Sequence, residues 1–181
     1  MGNDPETIGK YKRETWDEVL AAHGVVDFAL RDEIILRHRI ERVKRLVPYP
    51  GVTELLDQVR EKYPMAVVTN GSPAVQRFKL SESDLSNYFD VIVASGDVGI
   101  GKPRTEPFTA ALDQLGVTAS EAVMIGNSYS SDIQGAANLG MPSIWFNAEG
   151  LPRPEEGEPP TVEVGSVSEI LGAIDSLLDR R

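Results

Sequence analysis

Met124-Ile125-Gly126-Asn127-Ser128-Tyr129-Ser130-Ser131-Asp132 is the stretch from which the rest of the chain is read. An apolar run over Ala122–Ile125 predicts a short buried strand, and the Gly-Asn-Ser turn after it ends that strand. Ser131–Leu139 then predicts a helix, closed by Gly140. Outward from this unit the same alternation repeats. Upstream lie a helix at about Thr53–Lys62, a strand at Met65–Thr69, a helix at Ala74–Leu80, a strand at Asp90–Ala94 and a helix at Thr105–Leu115. Downstream lies a strand at Ser143–Phe146. Short apolar strands alternating with helices predict an α/β fold, a three-layer Rossmann-like parallel sheet with helices on both faces.

The flanks read differently. Ala148–Pro160 is rich in Pro and Glu and predicts a surface loop, followed by a short edge strand at Val162–Val164. Ser166-x-x-Glu169 is a capping box that opens a last helix with Ile170, Ile174, Leu177 and Leu178 inward. At the other end Asp4-Pro5 reads as an N-cap and first helical residue. Ile8, Tyr11, Trp16, Val19 and Leu20 follow helical spacing to His23-Gly24. A second helix over about Phe28–Leu46 has Leu30, Ile34, Ile35, Val43 and Leu46 as its apolar stripe. Trp16, Tyr11 and Ile35 are expected to pack these helices together or onto the core. Pro48-Tyr49-Pro50-Gly51 breaks the pattern, so residues 1–47 and 48–181 are expected to form separate units.

Composition narrows the function. The chain has 181 residues, a net charge of −10 and no cysteine. Acidity argues against nucleic acid, which is held by clustered Lys and Arg. The basic run Arg37–Arg45 reads as the solvated side of a helix. Without cysteine there is neither a thiolate metal site nor a Cys nucleophile. No apolar run reaches the roughly 20 residues needed to cross a bilayer. A cytoplasmic protein with no membrane partner is the expectation. His23 and His38 match no metal-ligand spacing and read as structural or surface residues.

Ligands of open parallel sheets bind beyond the carboxyl ends of the strands. Three polar segments fall there: Thr69-Asn70-Gly71, Gly101-Lys102-Pro103, and the Asn127–Asp132 loop. A hydroxyl at Thr69 and backbone N–H groups at Asn70 and Gly71 suit phosphoryl oxygens, although Thr-Asn-Gly is also an ordinary turn. Lys102 places an ammonium where charge would develop, and taken alone is a loop lysine. Asp132 also suits the first turn of a helix. Convergence of the three on one sheet edge favours a site.

In order along the chain, these segments resemble motifs two, three and four of the haloacid dehalogenase-like hydrolases. The residues that carry the resemblance are Val67–Ser72, Lys102-Pro103 with Phe108, and Gly126-Asn127-Ser128-x-x-Ser131-Asp132 with Gly135-Ala136. The resemblance implies a phosphatase-type hydrolase acting on a small phosphorylated metabolite. It implies catalytic roles for Thr69, Lys102 and Asp132, phosphate binding by Thr69, Asn70, Gly71 and Lys102, and Mg²⁺ held by Asn127 and Asp132. It also implies that residues 1–47 are the later part of a helical cap. Asn127 stands where the family usually has Asp, which lowers the negative charge offered to a metal. Motif one, an apolar strand running into Asp-x-Asp-Gly-Thr with the nucleophile as its first Asp, has no counterpart in this sequence. As a truncated chain it is expected to be inactive by itself. A non-catalytic phosphate- or partner-binding relative and a 2-haloacid dehalogenase are the alternatives. Motif one would sit on the strand between those of motifs two and four. The chain is expected to close that gap by pairing Met65–Thr69 directly with Ala122–Ile125.

Overall fold

The computed structural model describes residues 5–178, apart from the side chains of residues 5–9, 39, 43 and 44. The N-cap predicted at Asp4 and the apolar contacts predicted for Ile8 and Val43 lie outside the described residues. Two helices come first, α1 (Pro5–Ala22) and α2 (Phe28–Lys44). They form a hairpin pinned by Arg31, whose guanidinium reaches Asp17 at 3.0 Å and Asp32 at 2.9 Å. Trp16 meets His38 edge-on at 6.5 Å between ring centroids. Tyr11 does not join this packing, because its side chain is 70% exposed. A two-helix hairpin has one buried seam, too narrow to cover the apolar residues on both helices. Phe28 and Leu36 accordingly stay exposed, as does Val26 in the turn between the helices. Both histidines are exposed.

Residues after Pro48 alternate as expected: α3 (Val52–Arg60), β1 (Ala66–Thr69), α4 (Pro73–Glu82), β2 (Val91–Ala94), α5 (Ser95–Val98), α6 (Glu106–Leu115), β3 (Met124–Gly126), α7 (Gln134–Ala137), β4 (Ser143–Phe146), β5 (Val162–Val164) and α8 (Val167–Leu178). The helix predicted over Ser131–Leu139 divides. Tyr129–Ile133 is a π-helical turn that passes into the single α-turn of α7. Every strand pairing is parallel, and helices cover both faces, so the fold is a three-layer α/β core.

Direct pairing of β1 with β3 does not occur. The strands form two sheets, β1-β2 and β3-β4-β5. One continuous core nevertheless lies on each face. On the α3/α8 face Met65, just before β1, packs with Ile144 of β4 and Val164 of β5. On the α6/α7 face Val68 of β1 and Met124 of β3 share a cluster with Phe108 and Leu112. Helices about 10 Å across straddle both half-sheets and fix their separation, so the strands cannot slide together without tearing both cores. A slot remains between the β1 and β3 edges. Its walls show the consequence: all four residues of β1 are only half-buried, and Ile125 of β3 is 37% exposed.

Candidate active site

The candidate residues gather at the carboxyl end of this slot. Lys102 leaves α5 through a short loop, and its peptide bond to Pro103 is cis. Its side chain is 9% exposed and makes an ion pair with Asp132 Oδ1 at 2.7 Å. The same ammonium donates to the Val68 carbonyl on the edge of β1. One lysine therefore ties the two half-sheets together across the open end of the slot. An ammonium has three protons and these contacts use two, which leaves one donor for a ligand.

The loop that presents Lys102 is fixed by a residue the sequence suggested only for phosphate. Asn70 Nδ2 donates to the Lys102 carbonyl at 3.0 Å, and the Lys102 N–H donates to Asn70 Oδ1 at 2.8 Å. The Asn70 carbonyl accepts from Gln76 Nε2 at 3.0 Å. Its side-chain amide is thus taken up in positioning Lys102. Gly71 has φ +130°, and its N–H donates to Ser95 Oγ at 2.9 Å. That N–H is occupied, so in this arrangement Gly71 shapes the turn and is not an open donor for phosphate. Thr69 closes β1, and among the described residues its hydroxyl has no hydrogen-bond partner. It remains available to a ligand oxygen. Asn70, Gln76 and Ser95 had no sequence signal for these roles, because each acts through a contact that only the fold creates.

Asp132 comes from the π-helical turn. Its Oδ2 accepts from the Ser128 N–H at 3.0 Å while Oδ1 takes Lys102. The carboxylate lies so close to β3 that a Cβ on Gly126 would sit 2.3 Å from Oδ2, so glycine alone fits there. Asn127 has an exposed side chain, and its carbonyl accepts from the Trp145 indole at 3.0 Å.

The two predicted metal ligands therefore share one loop but make a poor magnesium site by themselves. One carboxylate is already shared between a lysine and a backbone N–H, and the other ligand is a neutral amide. Magnesium asks for an octahedron of hard, preferably anionic oxygens. Among the described residues there is no cluster of three or more His, Cys, Asp or Glu placed to hold a metal. These residues do not fit a stand-alone Mg²⁺ site.

Beside the slot an apolar cavity of about 250 Å³ is bounded by Leu46–Pro48, by Val67 and Thr69 of β1, and by Leu80 of α4. Lys79 also lines it, and burial pushes that ammonium below its usual range, helped by the positive charge of Arg42. No described helix is long and apolar enough to cross a membrane.

Comparison with known proteins gives a consistent picture. The profile of the haloacid dehalogenase-like hydrolases matches residues 3–146. A pyrimidine 5'-nucleotidase of Escherichia coli is 38% identical over 124 residues, covering 68% of this chain and 55% of its own length. A phosphoserine phosphatase of Thermus thermophilus is 34% identical over 165 residues, covering 90% of this chain and 64% of its own. Among solved structures, a hydrolase of Bacillus subtilis bound to magnesium superposes with TM-score 0.77 at 24% identity, over 92% of this chain and 72% of its own. A 2-haloacid dehalogenase of Pseudomonas syringae gives TM-score 0.75 at 26% identity, over 93% of this chain and 72% of its own. The chain thus spans 55% and 64% of the lengths of the two enzymes it matches by sequence.

Proposed function

The chain belongs to the haloacid dehalogenase-like hydrolases, and from that premise we propose that its site serves hydrolysis of phosphomonoesters of small metabolites. The observation that carries this reading is the Lys102–Asp132 pair at the mouth of the slot, beside the open Thr69 hydroxyl. Thr69 and the remaining Lys102 proton would donate to non-bridging phosphoryl oxygens, where preorganised donors act most strongly. The names of the relatives, a nucleotidase and a phosphoserine phosphatase, support a phosphate ester as the substrate class.

Among the described residues of the site, none is placed as an attacking group. Asp132 is tied to Lys102 and to the Ser128 N–H and is not poised as a nucleophile. We infer that attack requires a carboxylate on a strand seated between β1 and β3. Such a carboxylate would also add a second anionic ligand for Mg²⁺ beside Asp132. Loss of a nucleophile lowers hydrolase rates by roughly four to six orders of magnitude. The 181-residue chain is therefore expected to turn over p-nitrophenyl phosphate no faster than background. Adding an upstream strand that ends in Asp should restore turnover, and changing that Asp to Asn should abolish it. Ordinary phosphatase rates from the 181-residue chain alone would overturn the proposal.

Asn127 and the poor magnesium site favour one second reading, metal-independent dehalogenation. Halide release from 2-chloropropionate without added metal by the strand-completed protein, with no phosphate ester cleaved, would select it. Phosphate binding with no turnover of either substrate, even after completion, would select a binding module.

A further inference from the structure

Residues 147–161 leave the sheet after β4 and return at β5, and the sequence marks them only as a Pro- and Glu-rich surface loop. Their far end is fastened to the π-helical turn. The Glu158 carbonyl accepts from Tyr129 Oη at 2.9 Å and from Gln134 Nε2 at 2.8 Å. The Glu158 N–H donates to Gln134 Oε1 at 3.0 Å. The Gln134 amide thus engages both backbone groups of Glu158, its N–H and its carbonyl, as a neighbouring strand would. Gly157 allows the approach: it has φ +104°, and a Cβ there would lie 2.6 Å from Gln134 Oε1. At the near end Asn147 closes the loop by exchanging hydrogen bonds with Leu151, each 2.9 Å long. The Tyr129 ring packs edge-on against Trp145 at 5.3 Å, and Trp145 holds the Asn127 carbonyl.

We propose that residues 147–161 are a strap that sets the position of Asp132, and through it of Lys102, with Tyr129 and Gln134 as positioning residues. The proposal rests on the Lys102–Asp132 pair as the centre of the site. It concerns where the pair sits, not what the pair does to substrate. Its physical basis is the π-helical turn, an uncommon geometry that occurs in single turns and often at functional sites. Asp132 lies between the two strapped positions, 129 and 134. It is buried and has no room to shift toward β3, because Gly126 already touches it. The strap is the contact that keeps the turn from relaxing outward. Asp132 then fixes the Lys102 ammonium at 2.7 Å.

The test uses the full chain and needs neither turnover nor metal, so it fails or succeeds independently of the phosphatase reading. Lysine acylation by acetic anhydride, read peptide by peptide, reports Lys102. Amide hydrogen exchange over residues 128–133 reports the turn. Tyr129→Phe keeps the ring packing and removes one donor. Gln134→Ala removes the double grip. Gly157→Ala disturbs the strap without altering either positioning residue. Lys102 should label about tenfold faster in the Tyr129→Phe, Gln134→Ala double variant and in Gly157→Ala, with Tyr129→Phe intermediate. Exchange over 128–133 should rise in step, while Ile144 and Trp145 in β4 stay as slow as in the parent. Wild-type labelling of Lys102 in both the double variant and Gly157→Ala overturns the proposal. So does a rise in β4 exchange that matches the rise in the turn, since that signals general loosening.

Discussion

Lys102 is held by its backbone as well as its side chain. Asn70 brackets its peptide groups, and Asp132 and the Val68 carbonyl take its ammonium. Removing one partner of a buried ion pair leaves the other charge stranded. Lys102→Met should therefore lower unfolding stability by about 3 kcal/mol in urea titrations, and adding Asp132→Leu should recover a large part of that. A loss below about 1 kcal/mol, the range of exposed pairs, would return Lys102 to an ordinary loop lysine. At this scale the sequence was informative where residues lie near the carboxyl ends of strands and match the family motifs. Thr69 closes β1, Lys102 follows β2 across α5 and a loop, and Asp132 follows β3 across a turn, and the fold brings Lys102 and Asp132 into contact beside the end of β1. Asn70 and Ser95 were not legible, because their partners lie 32 and 24 residues away. Nothing local to Asn70 distinguishes a turn residue from a brace for Lys102.

Elements were legible where they carry their own chemistry. Glu169 turns back on the residues before α8, with Ser166 Oγ donating to Glu169 Oε1 at 2.6 Å and the Gly165 N–H reaching Oε2 at 3.4 Å. The Glu169 N–H, however, goes to the Ser166 carbonyl at 3.3 Å, so the reciprocal bond of the predicted capping box does not form. The Ser166 hydroxyl, followed by the Gly165 N–H, holds the Glu169 carboxyl below its usual range. A lowered folded pKa contributes stability above the unfolded value, about 4.3 for Glu, and that contribution fades as pH falls through the folded value. On lowering pH from about 6 to about 3, the thermal midpoint should fall further in the parent than in Ser166→Ala. Parallel curves would show that the cap contributes nothing through Glu169. The π-helical turn was not legible: Ser131–Leu139 has ordinary helical spacing, and the wider turn depends on Ser128, Trp145 and Glu158. Ser128 acts locally, as the N-cap that accepts from the Ser131 N–H, while Trp145 and Glu158 act through tertiary contacts, which a periodicity cannot register.

For the whole molecule, the α/β class and the order of elements followed from alternation alone. Direct pairing of β1 with β3 does not form, because strand sequences do not encode the spacing that the helical layers impose. Met65 with Ile144 on one face, and Val68 with Met124 on the other, lock the half-sheets apart. Hydrogen exchange distinguishes the two arrangements. Successive residues of a strand point their N–H groups to opposite sides. Alternate amides of β1 and β3 should therefore exchange fast, while β4, flanked on both sides, stays protected. Uniformly slow exchange in β1 and β3, matching β4, would mean that the slot is closed.

The slot also bears on how such a molecule meets its own copies. Free strand edges invite uncontrolled association, and β2 and β5 are the outermost strands of the two sheets. The inner edges behave differently, because both run in the same direction and face each other. An intruding segment meets parallel ladders on both sides only if it is extended and enters in one orientation; reversed, it loses the parallel pattern on both. The interior gap thus works as a filter for chain direction, while on β2 Arg77 and Asp97 already occupy the Ile92 carbonyl and the Ala94 N–H.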